Sequence, residues 1–199
     1  MNTSRTPPLN WSAFAALDRE AFSRHLASVV EHAPWVAQRA WARRPFADWQ
    51  ALFEAMSAEI QSASDAEQLG LLRGHPELAG QEARAGTMTP DSQGEQGRLG
   101  LLALDAETVQ RIDTLNQRYR SRFGFPFIVA LRLHPSLASV LQAFDERSRH
   151  DPDTERREAL HQVCEVMRGR LAHAVATALP TTDSPSAPPP AHHLAGNPS

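Results

Sequence analysis

His75 lies between Gly74 and Pro76, at a point where the chain should leave a helix. A residue that precedes proline is disfavoured in helical backbone, so Pro76 biases His75 toward an extended conformation. Gly74 can end one helix and Pro76 can begin the next, which would hold the imidazole on a stiff junction. Because histidine titrates near neutral pH, His75 is a candidate catalytic acid or base. With nine histidines in the chain, an ordinary loop position is the alternative.

A second candidate is the polar run Ser92, Gln93, Gly94, Glu95 and Gln96. Ser-x-x-Glu is the capping-box pattern, in which Ser92 would be the N-cap of a helix. In the competing register Thr89 is the N-cap and Pro90 the first helical residue, so that Ser92, Glu95 and Gln96 share one face. Gly94 would then let a ligand approach the backbone, and the free N–H groups of the helix start could bind an anion or a carbonyl.

Two further segments contain groups that could bind a ligand, although their sequence patterns are less specific. The aromatic run from Phe123 through Phe125 and Phe127 to Ala130 reads best as a connector through the core. If it is extended, however, its N–H and C=O groups need partners, and a ligand is one option. In the last predicted helix, Arg168 and Arg170 flank the apolar stripe, and periodicity does not decide which of them turns inward.

Apolar residues recur at helical spacing almost throughout, which predicts an all-α fold, a single compact bundle of about eight helices. The expected helices span 17–33, 35–43, 46–62, 65–73, 90–103, 105–123, 135–147 and, after an Asp151 cap, 152–178. The segment 125–133 is the one stretch that could be extended. Residues 180–199 contain six prolines and predict a disordered tail, and residues 1–8 a flexible N-terminus, so the domain should span 9–179.

The composition excludes several functional classes. A net charge of −3 provides no basic surface for nucleic acid, and a mean hydropathy of −0.42 without a long apolar run argues against a membrane protein. All 20 basic residues are arginine, so neither a lysine Schiff base nor a Walker A loop can form. With one cysteine, Cys164, and no secretory pattern at the N-terminus, we expect a soluble cytoplasmic protein without a metal site.

Six short anchors, in order and with compatible spacing, resemble the 2-oxo-4-hydroxy-4-carboxy-5-ureidoimidazoline (OHCU) decarboxylases of purine catabolism. The anchors are Pro34-Trp35-Val36-Ala37, His75-Pro76-Glu77-Leu78-Ala79-Gly80, Ser92-x-x-Glu95-Gln96, Leu115-Asn116-x-x-Tyr119, Phe123-Gly124-Phe125-Pro126-Phe127 and Arg170-Leu171. The resemblance covers about residues 9–178. It implies a helical homodimer that uses no metal or organic cofactor and converts the small-molecule substrate OHCU to (S)-allantoin and CO₂ during urate degradation.

The resemblance also implies roles for individual residues. His75 would be the catalytic histidine and proton donor, with Pro76 in the same pocket and Glu95 fixing the protonation state of the imidazole. The run from Ser92 to Gln96, including Gln93 and Gly94, would hydrogen-bond the substrate. Backbone groups of a connector segment would bind the ureido or ring amides, and Arg170 would pair with the carboxylate or a ring oxygen. That segment consists of Phe127, Ile128, Val129, Ala130 and Leu131.

Gly169 departs from the family pattern, since an aliphatic residue is usual there, and it predicts looser packing around Arg170. Two alternatives remain beside the decarboxylase. One is a non-catalytic helical binding module with a decayed site. The other is a related imidazoline-processing enzyme with a shifted substrate preference.

Overall fold

The computed structural model describes residues 11–176 and is all-α, as predicted. Within this part of the chain there are ten α-helices, two 3-10 helices and no strand. The α-helices are α1 (Trp11–Ala15), α2 (Arg19–His25), α3 (Pro34–Ala40), α4 (Trp49–Ser62), α5 (Asp65–Arg73), α6 (Gln81–Ala85), α7 (Pro90–Arg98), α8 (Ala106–Phe123), α9 (Leu137–Arg147) and α10 (Pro152–Ala176). The 3-10 helices are Trp41–Arg43 and Leu131–Leu133.

Short polar side chains start most of these helices by accepting hydrogen bonds from free N–H groups of the first turn. Asp48 accepts from the N–H of Ala51 at 2.8 Å, and Asp105 accepts from that of Thr108 at 2.8 Å. The predicted cap of the last helix is confirmed, since the Thr154 N–H donates to Asp151 at 2.9 Å. Local sequence therefore defines where these helices begin.

Two predicted helices are shorter than expected, and two short helices were missed. The predicted helix over 17–33 becomes α2, which ends at His25 and is followed by turns. The predicted helix over 90–103 ends at Arg98. The five-residue helices α1 and α6 account for the difference between ten helices and the expected eight, because one turn carries too little periodicity to detect. The expected flexible N-terminus 1–8 and disordered tail 180–199 lie outside the described residues.

The core lies around α10, which packs against α4, α5 and α8, and α3 also packs against α4. Leu52, Met56 and Ile60 of α4 are fully buried, as are Met167 and Leu171 of α10. Burying each such side chain contributes about 1.5–3 kcal/mol. None of the helices within residues 11–176 has the continuous apolar length that a membrane-spanning segment requires.

The segment 124–130 is neither helix nor strand and passes through the core. Phe127 is 1% exposed and stacks on Phe144 with 3.9 Å between ring centroids. Arg147, paired with the fully buried Glu155, donates from Nη1 to the carbonyl oxygen of Ile128 at 2.7 Å. The aromatic side chains thus anchor this connector, and its backbone is held at defined points beside α7 and α10.

Candidate active site

A cleft of about 370 Å³ opens where α7, the connector and α10 meet. Helix α7 contributes Asp91, Gly94 and Glu95 to its wall, the connector contributes Ala130, Leu131 and Arg132, and α10 contributes Gly169 and Arg170. Five of the residues expected at the site therefore face one cavity, namely Gly94, Glu95, Ala130, Leu131 and Arg170. A cleft of this size fits a small-molecule ligand.

Arg170 turns inward and is almost completely enclosed, with its side chain 5% exposed. It makes a two-point ion pair with Glu95, from Nε at 2.8 Å and from Nη2 at 2.9 Å. Nη2 also donates to Ser92 Oγ at 3.0 Å, and Nη1 donates to the carbonyl oxygen of Ser28 at 3.2 Å and pairs with Glu31 at 3.0 Å. All five N–H groups of the guanidinium thus have protein partners.

Glu31 belongs to this cluster although the sequence analysis missed it. Its side chain is 5% exposed and accepts hydrogen bonds from Ser92 Oγ at 3.0 and 3.2 Å and from the Thr89 hydroxyl. The residue was assigned to the interior of a helix, whereas it lies in the turn region after α2, three residues before Pro34. Pro34 was the signal that could have corrected this assignment. Proline disfavours helical backbone in the residue before it, so the predicted helix should have ended before Pro34.

The structure resolves the register of the polar run in favour of Thr89. Thr89 is the N-cap of α7, accepting from the Ser92 N–H at 3.3 Å, and Pro90 is the first helical residue. Ser92 therefore faces inward, where its hydroxyl donates to Glu31 and accepts from Arg170. Gly94 is exposed, and a Cβ at this position would meet nothing within 4 Å, so a ligand can approach the backbone.

Gln96 and Gln93 are engaged with neighbouring loops. The Gln96 side chain accepts from the Ala79 N–H at 2.9 Å and donates to the Glu77 carbonyl oxygen at 3.3 Å. The Gln93 amide donates to the carbonyl oxygens of Gly86 and Met88, at 3.0 and 3.1 Å. Gln96 thus fixes the loop that follows His75, which includes Ala79 at a φ of +48°.

The connector keeps some backbone groups without a protein partner. The Ala130 N–H donates to Gln162 at 2.8 Å, and the Leu131 carbonyl oxygen accepts from Arg98. Among the described residues, the N–H groups of Ile128 and Val129 take part in no hydrogen bond, although both side chains are buried. Because buried N–H groups are nearly always paired, these two can donate to a ligand.

His75 does not line the 370 Å³ cleft. It lies near Arg170, however, and Arg170 does line the cleft. Burial, then the positive charge of Arg170 and the neighbouring His32, together lower the pKa of His75 from 6.5 to about 3. The imidazole is therefore neutral at pH 7. Within residues 11–176 it makes no hydrogen bond, to Glu95 or to any other group, so its ring nitrogens can serve a ligand.

This depressed pKa predicts a specific pH dependence of stability. Between pH 6.5 and 3 the unfolded chain binds a proton at His75 while the folded protein does not, so the free energy of unfolding falls as the pH falls through this window. This difference in pKa corresponds to roughly 5 kcal/mol at most. Urea denaturation at several pH values should therefore show a smaller loss on acidification for His75→Asn than for the wild type. Parallel curves for the two proteins would contradict the assignment.

Arg168 occupies the outer shoulder of α10, so the structure decides between the two arginines. Its side chain is 43% exposed, lies over the Phe53 ring at 3.9 Å and pairs with Glu165 at 3.4 Å.

The prediction that Gly169 loosens the packing around Arg170 was wrong, because the Arg132 side chain lies against Gly169 and Arg170 is fully bonded. In residues 11–176, no group of three His, Cys, Asp or Glu side chains is placed to hold a metal.

Known proteins share this sequence and fold. The model of the family described as OHCU decarboxylase matches residues 15–172. The chain is 37% identical to the OHCU decarboxylase of Amia calva, over 78% of this chain and 89% of that protein, and 39% identical to that of Halalkalicoccus jeotgali, over 77% and 85%. A crystal structure of (S)-allantoin synthase superposes with a TM-score of 0.65 at 25% identity, over 84% of this chain and 54% of that one. The chain belongs to the OHCU decarboxylase family.

Proposed function

We propose that this protein catalyses the decarboxylation of OHCU to (S)-allantoin and CO₂ in urate degradation. The observation that carries the proposal is the buried cluster of Arg170, Glu95, Ser92 and Glu31 at one end of a ligand-sized cleft, with a neutral, unpaired His75 near Arg170. Membership in the OHCU decarboxylase family supports the same assignment.

The reaction needs one bond cleavage and one proton. The carbon–carbon bond to the carboxylate breaks, CO₂ leaves, and the bonding electron pair remains on the ring as an enolate-like anion. Because the unsaturated ring delocalises this charge, the proposed reaction requires no cofactor as an electron sink. The anion then takes one proton at carbon, and delivery to a single face produces the S isomer.

The residues around the cleft suit the parts of this substrate. The Glu95 carboxylate, held by Arg170, can accept hydrogen bonds from ring or ureido N–H groups. The N–H groups of Ile128 and Val129 can donate to carbonyl oxygens of the substrate. Ser92 and Gln96 support the site indirectly. Their polar atoms already bond to Arg170, Glu31 and the loop after His75.

His75 is proposed as the group that transfers the proton. A neutral imidazole keeps one N–H proton but is too weak an acid to give it up near neutral pH, whereas the negative charge of the bound substrate favours the doubly protonated imidazolium and raises its pKa. The imidazolium then donates to the ring carbanion, becomes neutral, and recovers a proton from solvent. Pro76 keeps this histidine out of a helix, and Gln96 holds the following loop.

The direct test adds the purified protein to freshly generated urate-oxidation product and follows (S)-allantoin by circular dichroism. Uncatalysed protonation by water occurs on both faces and gives a racemate without a signal. We expect the enzyme to produce a growing dichroic signal faster than OHCU decays by itself. If the signal does not develop, or if OHCU disappears at the spontaneous rate, the protein is not a decarboxylase of this substrate, and a binding module is the better assignment.

We further propose that the protein is a cytoplasmic homodimer. Two large apolar side chains, Leu102 and Leu133, are about half exposed, at 49% and 50%, and an interface that covers them would remove apolar surface from water. A single buried cysteine suits a reducing compartment. Sedimentation equilibrium should give twice the chain mass of 21.9 kDa, and a monomer at micromolar concentration would contradict the dimer.

A further inference from the structure

A second arginine, Arg132, lies on the wall of the cleft beside Arg170. It belongs to the 3-10 helix Leu131–Leu133 and is 38% exposed. Arg132 is not among the site residues expected from the sequence. Its position on the wall of the cleft that Glu95 also lines places a second positive charge where the proposed substrate would bind.

Gly169 makes room for the Arg132 side chain. A Cβ atom at position 169 would lie 2.9 Å from Cδ and 3.0 Å from Nε of Arg132, distances that packed side chains do not tolerate. Any other residue at this position would therefore displace the middle of the arginine side chain. The orientation of the Arg132 guanidinium depends on the glycine.

The hydrogen bonds of Arg132 leave part of its guanidinium available. Nε and Nη2 donate to the carbonyl oxygen of Glu165 at 3.3 and 3.2 Å, and Nη2 also pairs with the Glu165 carboxylate. Nη1 has no partner in the described part of the chain, whereas all five N–H groups of Arg170 are used. Of the two arginines on the cleft, Arg132 is the one with donors left for an anion.

Charge is also distributed unequally along the cleft. Arg132 shares the Glu165 carboxylate with Arg168, so this carboxylate does not fully neutralise the Arg132 guanidinium on the cleft wall. Arg170 is paired with two carboxylates, those of Glu31 and Glu95, which leaves a net negative charge at the other end. Asp91, on the same helix as Glu95, adds to the negative end. A ring that carries a carboxylate and several N–H groups would align with this polarity.

We infer that Arg132 binds the carboxylate of the substrate and that Gly169 is required for this contact. The inference rests on the proposed function and assigns the anion contact to Arg132, with Arg170 as the group that orients Glu95. A cation that holds the carboxylate equally in the ground state and in the transition state contributes uniform binding and neither assists nor opposes its departure as CO₂. Arg132 is therefore a specificity-determining residue whose loss should appear in KM and not in kcat.

The kinetic experiment compares Arg132→Gln, Gly169→Ala and the matched control Arg168→Gln, which removes the other arginine paired with Glu165. Losing one charge-assisted contact of about 1.4 kcal/mol or more corresponds to at least a tenfold effect. We expect KM for OHCU to rise about tenfold or more in the first two variants while kcat stays within about twofold. The control should match the wild type. Gly169→Ala should not lower the melting temperature, because alanine favours the helix.

Two results would overturn the inference in an active enzyme. One is an unchanged KM in Arg132→Gln and Gly169→Ala. The other is a parallel rise in KM for OHCU and in the inhibition constant for (S)-allantoin, which lacks the carboxylate, since that would indicate general damage to the cleft.

A binding experiment tests the inference independently of turnover. Orotate, a stable ring carboxylate, should bind the wild type more tightly than uracil, its match without the carboxylate, in titration calorimetry. This difference should disappear in Arg132→Gln and Gly169→Ala and persist in Arg168→Gln. If the wild type does not distinguish the two ligands, the inference fails even where decarboxylation is observed. If the ligands are distinguished but no decarboxylation occurs, the proposed function fails and the anion site remains.

Discussion

Replacing His75 with asparagine is expected to lower kcat by about 10²–10⁴, the usual contribution of a positioned general acid or base. Asparagine retains a hydrogen-bonding group of similar reach but cannot transfer a proton near neutral pH. KM should change little, because the Glu95 carboxylate and the connector N–H groups remain in place. Steady-state kinetics with the dichroic allantoin assay measures both constants.

The pH profile adds a second check on His75. Because the substrate's negative charge raises the pKa of the imidazole from its value of about 3 in the free protein, kcat of the wild type should titrate between pH 5 and 8 and fall as the pH rises. This titration should be absent in His75→Asn. His161→Asn is a matched control, since His161 is 60% exposed on the outside of α10. If His75→Asn kept more than about a tenth of the wild-type kcat, His75 would not be the proton donor.

Replacing Arg170 with alanine is expected to cost about 3–5 kcal/mol of stability, the range for breaking a buried ion pair from one side. The substitution leaves the Glu31 carboxylate, 5% exposed, without its counter-charge and removes the donor to Ser92. For a domain of this size each kcal/mol lowers the melting temperature by about 2–4 °C. Activity should also be lost, because Glu95 no longer has a fixed orientation.

Two companion variants make the Arg170 prediction sharper. Arg168→Ala should shift the melting temperature by little, since this exposed arginine is not enclosed by carboxylates. Adding Glu31→Gln to Arg170→Ala should recover part of the lost stability, because it removes the uncompensated buried charge. Calorimetric melting of the single and double variants measures both effects. Equal losses for Arg168→Ala and Arg170→Ala would show that the cluster does not stabilise the fold.

Much of the fold follows from local sequence. Apolar residues at helical spacing specify α4, α8 and α10, and short polar caps such as Asp105 and Asp151 specify where helices begin. Both signals act within a few residues, so they can be interpreted without the tertiary structure. The ends of α2 and α7 were misplaced because polar and apolar residues continue the helical pattern past the point where the chain turns.

The candidate site was predictable in part. His75, Glu95, Arg170 and the connector were identified by residue type and by the order of short anchors along the chain, which indicate the family. The local sequence was also compatible with two starts for helix α7, with either Ser92 or Thr89 as the N-cap. In the folded protein Thr89 is the N-cap and Pro90 is the first helical residue. The absence of lysine had already restricted the chemistry to histidine, carboxylates, arginine and backbone groups.

The tertiary structure decided which of these side chains touch one another. Arg170 meets Glu95 across 75 positions and Ser28 across 142, and Gln96 reaches Ala79 across 17, contacts that no local pattern specifies. Glu31 and Arg132 enter the site in the same way, through the packing of the turns after α2 and of the connector against α7 and α10. Periodicity places a residue on a face of its own helix, but a charged residue on the shoulder of that face can turn either way. Whether it becomes a surface arginine, like Arg168, or a buried one, like Arg170, depends on the carboxylates that distant segments bring within hydrogen-bonding distance.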